Sequence, residues 1–266
     1  MIPDFETKGE LFAYLKENKK DLIKLKKAQI KCADAFAMVS NNEAVKALTS
    51  TFKDDIDSGI IKRTIIGNTY NWLDSHGDVH VKNTFKKSIT ENKNIFHLHD
   101  HEHKITARVG KFTNVYEKLV NWTDLGINKN GQTLALMADT NISKDLNKNV
   151  FDMYLKGEVD QHSVGMQYVN VELAVNSDEE EYKQEKETFD KYINDIGNKE
   201  EVEKQGYFWA VSEAKLVEIS AVLMGSNILT PTIENEPLKS TQNEPSEDTP
   251  KKIDWSNVAN NINFKN

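Results

Sequence analysis

The segment QHSVGMQYVNVELAV, residues 161–175, alternates its side chains with period two along its length. Successive strand residues face opposite sides of a sheet, so a run this long commits its part of the chain to β-structure with one face on a core. Its neighbours agree. GIIKRTIIGNTYNW (59–72), IFHLHDH (95–101), RVGKFTNVYEKLVNW (108–122), GQTLALMADTNI (131–142) and YFWAVSEAKLVEISAVLMG (207–225) carry the β-branched and aromatic residues that fit a pleated, half-buried surface. Two helical patterns interrupt them. VKNTFKKSITENK (81–93) is short and amphipathic, and SKDLNKNVFDMYLKGEV (143–159) has Ser143 as an N-cap and Gly157 near its end. Strands broken by two helices predict an α+β domain built on an antiparallel sheet or barrel.

The flanks differ in texture. Residues 1–50 form a helical N-terminal extension, with Leu11, Leu15, Leu22, Ile23 and Leu25 at helical spacing among Lys and Glu. Residues 51–230 form the main domain. Inside it, 177–205 (SDEEEYKQEKETFDKYINDIGNKEEVEKQ) predicts a charged, solvated helical insertion or a mobile excursion. Residues 231–266 turn Pro-, Asn-, Ser- and Glu-rich, a composition expected of a disordered or partner-binding tail. A formal net charge of −8 disfavours non-specific nucleic-acid binding. No apolar run approaches membrane-spanning length, and the start MIPDFETKGE lacks the basic-then-apolar order of a signal peptide, so a cytoplasmic chain without a membrane partner is expected. The single cysteine, Cys32, excludes an internal disulfide and a cysteine-based zinc site.

Chemistry concentrates in HLHDHEH, which holds four of the chain's seven histidines at residues 97, 99, 101 and 103. Imidazole is a common zinc ligand, and alternation on a strand would put all four on one face. The letters approach the H-x-H-x-D-H pattern of metallohydrolases, but Asp100 follows His99 directly and the ligand-spacing residue is missing. No metal and no cofactor is therefore expected. A nucleophile is available instead in Ser163, where a strand begins, with Gly165 allowing close backbone approach as an oxyanion site requires. A serine needs a base and a group that orients the base. His162 is a strand neighbour of Ser163 and faces the other way, so the HLHDHEH segment is the natural donor. Glu218 lies inside an apolar strand, where an unpaired carboxylate is costly, and is the candidate orienting acid; Glu213 is the competitor.

Four blocks in order, DSHGDVHVKNTFKKSI (74–89), IFHLHD (95–100), HSVGM (162–166) and LVEISAV (216–222), give a wider pattern. Over residues of about 60–225 the chain resembles the HK97-type prohead proteases of tailed bacteriophages, which are related in fold to herpesvirus assemblins. The resemblance implies an antiparallel β-barrel core flanked by helices, and a serine endopeptidase that cleaves scaffold and major capsid protein during prohead maturation. It further implies self-association, action inside the assembling prohead in the bacterial host cytoplasm, and no cofactor. It makes Ser163 the nucleophile, His99 the base and Glu218 the acid, with Gly165 as backbone support and His97 and His101 as alternates for the base. Two other functions stay open: a non-catalytic capsid-assembly scaffold or chaperone on the same fold, and a His-cluster metallohydrolase.

Overall fold

The structure, a computed structural model, describes residues 3–28, 58–92 and 94–233. All lie in the unit Met1–Glu236. The expectations for residues 29–57, Cys32 among them, and for the tail beyond residue 233 fall outside the described residues.

Eight strands are present: β1 (Ile60–Thr69), β2 (Asp78–His80), β3 (Phe96–His99), β4 (Arg108–Asn121), β5 (Gln132–Ser143), β6 (His162–Val175), β7 (Tyr207–Ala221) and β8 (Thr232–Ile233). They make one mixed sheet. β8, β1, β5, β4 and β3 follow one another through antiparallel pairings, and β3 continues onto β7 in parallel. β7 is long enough to take β2 near its start and β3 near its end on one edge, while β6 runs antiparallel along the other.

The expected antiparallel barrel is not what forms. Closure needs hydrogen bonds the whole way round, and among the described residues no ladder joins β6 to β1 or β8. The sheet is open and mixed. It curls so that β1 packs against β7 side chain to backbone: a Cβ at Gly67 would lie 2.9 Å from the Ile219 side chain. The main core fills that curl with Ile61, Ile65, Leu136, Val164, Met166, Trp209 and Ile219.

Among the described residues six helices flank the sheet. α1 (Lys8–Glu17) starts with a capping box, in which the Glu10 amide donates to Thr7 Oγ1 and the Thr7 amide to the Glu10 carboxylate. It breaks at Asn18, and α2 (Lys19–Ala28) follows. α3 (Lys86–Glu91) precedes β3. α4 (Lys148–Leu155) is capped by Asn147, whose side chain accepts from the Val150 amide. Ser143, expected as that cap, instead ends β5.

α5 (Lys183–Tyr192) and α6 (Lys199–Gln205) lie in the charged insertion. That segment is not an excursion. Phe189, Ile193, Ile196 and Val202 are buried against Val79, Phe208 and Ala210, and burying a side chain of that size is worth roughly 1.5–3 kcal/mol. The acidic insertion is also the partner of the basic arm. Lys16 pairs with Glu181, Lys19 with the buried Glu185 at 2.6 Å, and Lys26 reaches the buried Asp78 beside the Trp209 ring. Phe12 and Leu15 join the main core, so the arm is part of the domain. β8, with Leu229, Thr230 and Ile233 buried around it, carries the domain past its expected end at residue 230. No helix among the described residues is long and apolar enough to cross a membrane.

Candidate active site

The register of three strands fixes which side chains share a face. Phe96 pairs with Glu218, His97 with Ile219, Leu98 with Ser220 and His99 with Ala221. On the other edge of β7, Ser163 pairs with Ser220, Val164 with Ile219 and Gly165 with Glu218. Cα partners present their side chains to the same side of a sheet, and neighbours alternate. One face therefore carries Ser163, Gly165, Glu218 and Ser220. His97, His99 and His162 lie on the other.

That division separates the histidines. His99, expected as the base, is on the face opposite Glu218 and Ser163; its Nδ1 lies 3.0 Å from the carboxylate of its own neighbour Asp100. β3 ends at His99, and the next two residues are left-handed, Asp100 at φ 49° and His101 at φ 53°. Asp and His are among the side chains that enter this region most readily, yet each such residue costs roughly 1–2 kcal/mol. The turn abandons strand alternation and swings His101 over the edge of the sheet onto the Ser163 face. There His101 Nδ1 lies 2.6 Å from Glu218 Oε1. The turn is held by the Asp100 amide donating to the Ala221 carbonyl and the His101 amide donating to Ser220 Oγ at 3.2 Å.

Glu218 is fully buried and has a partner for each oxygen: the His101 ring at Oε1 and the Ser220 hydroxyl, donating at 2.7 Å, at Oε2. A carboxylate only accepts, so His101 donates from Nδ1, and in the neutral form of the ring Nε2 is then the bare lone pair. Among the described residues Nε2 is buried without a hydrogen-bond partner. Buried polar atoms are rarely left so, and each one calls for an explanation. Gly165 has a reason of its own to be glycine. A Cβ there would stand 2.0 Å from Glu218 Oε1, so the carboxylate head lies over bare backbone. Ser163 sits two residues before it in the same row, buried, with no side chain among the described residues hydrogen-bonded to its hydroxyl.

Glu213, the competing acid, is away from this cluster and binds Lys87 at 3.2 Å on the surface. His103 is exposed. The four clustered histidines thus diverge, and among the described residues no three His, Cys, Asp or Glu side chains converge to hold a metal ion.

The opposite face carries a second histidine network. His162 Nδ1 donates to the Thr230 carbonyl at 2.9 Å, because a carbonyl can only accept. His162 Nε2 must then accept from the Tyr154 hydroxyl at 2.8 Å. The Tyr154 oxygen accepts from His97 Nε2 at 3.2 Å, and His97 Nδ1 accepts from the Thr140 hydroxyl at 2.8 Å. Every ring nitrogen is matched with both imidazoles neutral. Burial holds His97 well below the usual imidazole range, with His162 adding to it. Burial pulls His162 down to about 4, partly offset by its bond to Thr230. Burial also raises the Tyr154 phenol.

Ser220 and Tyr154 carry much of this geometry and neither stands out in the sequence. Ser220 had one signal: it follows the buried Glu218 by two positions in the same strand, and so shares its face. No family model, curated protein or solved structure matches the chain.

Proposed function

We propose that the chain is a serine endopeptidase in which Ser163 is the nucleophile, His101 the general base and Glu218 the acid that orients it. The observation that carries this is the unpartnered Nε2 of His101, on the sheet face of Ser163, in a ring whose other nitrogen is committed to a buried carboxylate. A nitrogen so placed accepts the serine proton as the oxygen attacks a scissile carbonyl carbon. Glu218 stabilises the imidazolium that results, and the same Nε2–H then delivers the proton to the leaving amine. Water repeats the cycle on the acyl-enzyme and restores the serine. The proposal extends, on the order of the four sequence blocks, to cleavage of scaffold and major capsid protein by a self-associating enzyme inside an assembling phage prohead in the bacterial cytoplasm.

The test is a fluorophosphonate probe, which phosphonylates an activated serine. Mass spectrometry of the intact protein and its peptides is expected to find the adduct on Ser163, and S163A to lose it. A folded chain that takes up no probe at Ser163 over hours at millimolar concentration sinks the proposal. Co-expression with a capsid precursor and its scaffold then tests the substrate, with cleavage expected for the wild type and none for S163A.

One observation favours the second reading, a non-catalytic assembly protein on this fold. Ser163 is only 4% exposed, so a peptide bond reaches it only if the covering chain yields. Under that reading S163A retains full assembly activity.

A further inference from the structure

We infer that Ser220 is a positioning residue that locks the base and its acid into one unit, which rests on the reading of Ser163, His101 and Glu218 as the reacting set. A single hydroxyl makes both links. Its proton goes to Glu218 Oε2 at 2.7 Å, and its oxygen accepts the His101 amide proton at 3.2 Å. The two bonds do different things. The first fixes the rotation of the carboxylate, so that Oε1 faces the His101 ring. The second holds the backbone of the residue that bears that ring, at a left-handed position the chain would otherwise leave.

The need for such a group follows from where the residues sit. Glu218 stands on β7, a strand paired on both edges, whereas His101 stands on a turn beyond the end of β3. The His101–Glu218 contact alone lets the ring and its turn move together. Two attachment points from one strand, the carboxylate at the ring and the Ser220 hydroxyl at the amide, define the position of the imidazole relative to β6. Ser220 is also the Cα partner of Ser163, so the lock is built at the register position of the nucleophile. It is fully buried, its hydroxyl has no role towards solvent, and a serine here supplies one donor and one acceptor in the smallest volume.

The experiment uses the full chain as wild type, S220A, S220T and S88A. Ser88 is a control hydroxyl, also buried, that accepts the Leu216 amide at 2.8 Å away from the histidine. Three quantities are read: hydrogen exchange of the His101 amide, the tautomer of the His101 ring by nitrogen NMR, and the rate of fluorophosphonate labelling of Ser163 against pH. In the wild type the amide exchanges slowly and the neutral ring carries its proton on Nδ1. In S220A we expect that amide to exchange about tenfold faster, labelling to slow by about tenfold with a displaced pH midpoint, and the tautomer preference to weaken. S220T, which keeps the hydroxyl, restores all three, and S88A moves none of them even where it lowers stability. S220A with wild-type amide exchange and tautomer overturns the inference.

Should S220A fail to fold, the wild type still decides. A His101 amide exchanging as fast as the exposed residues 103–106, or a neutral ring protonated on Nε2, overturns the inference, and the opposite result supports it. Absence of labelling in the wild type removes the hydrolase reading, and exchange and tautomer then judge the lock without it.

Discussion

The two faces of the β6–β7 pair each carry a histidine network, and they are finished differently. On the core face, Thr140, His97, Tyr154, His162 and the Thr230 carbonyl form a chain in which every nitrogen and hydroxyl is matched, all donating in one direction. Nothing is left over to react. On the other face, His101, Glu218 and Ser220 are matched everywhere except at His101 Nε2. Satisfied buried networks specify a packing arrangement, whereas a ring nitrogen left open beside a fixed carboxylate has capacity to spare. A cluster of histidines in a sequence is therefore not one thing. Three residues of strand and two left-handed residues divide HLHDH between the two faces.

The sharpest way to break that contrast is to remove one ring from each class. His101→Ala is expected to slow fluorophosphonate labelling of Ser163 about a thousandfold, since it deletes the proposed general base. His99→Ala, whose ring faces away from Ser163 and lies within hydrogen-bond reach of Asp100, is expected to label within about threefold of wild type, because it removes no group on the Ser163 face. Equal effects of the two substitutions would show that the face assignment does not govern reactivity.

The core network has a different signature, in stability against pH. His162 titrates at about 4 in the folded chain against an ordinary 6.5, and His97 is displaced in the same direction. Between those values the unfolded chain binds protons that the folded chain refuses, so stability is complete above pH 6.5 and is lost as pH falls towards 4. His162 alone accounts for a loss on the order of 3 kcal/mol across that window. Urea unfolding midpoints measured at steps from pH 7.5 to pH 4 check it. His162→Asn is expected to flatten the slope, at a lower overall stability.

Much of the sheet was legible because alternation is a local signal. β1, β4, β5, β6 and β7 fall where Ile, Val, Thr and aromatic residues alternate. Closure was not legible, since whether β6 meets β1 or β8 depends on curl and stagger that no single strand encodes. Nor was the insertion's anchoring. Phe189, Ile193, Ile196 and Val202 are too few among Glu and Lys to announce a core face, and they bury themselves only because Val79 and Phe208 stand opposite. At the site, Ser163 and Glu218 were legible as a serine near a glycine and a carboxylate in an apolar strand. The histidine that meets Glu218 was not: His99 is the expectation because apolar residues precede its His-Asp pair, whereas His101 reaches the carboxylate because the strand stops at His99 and Asp100 and His101 turn the chain. Alternation cannot report its own end.

Gly165 offers the finer test of how tightly the reactive face is built. The sequence suggests backbone access near an oxyanion, whereas the structure puts the Glu218 head where a Cβ would go, 2.0 Å from Oε1. Gly165→Ala must therefore displace the carboxylate. A shift of that kind at an orienting group is expected to slow labelling about a hundredfold. The displacement would also be visible as a changed His101 ring signal. An access role alone predicts slowed labelling with an unchanged ring signal, so the two measurements together separate the explanations. The smallest effect belongs to Glu213, which shares a strand and a chemical type with Glu218 but pairs with Lys87 at the surface. Glu213→Gln is expected to leave both the labelling rate and the His101 tautomer unchanged. If it slows labelling about a hundredfold, then a carboxylate acts through the general field of the strand, and the direct 2.6 Å contact with His101 Nδ1 is not what makes Glu218 the partner of that ring.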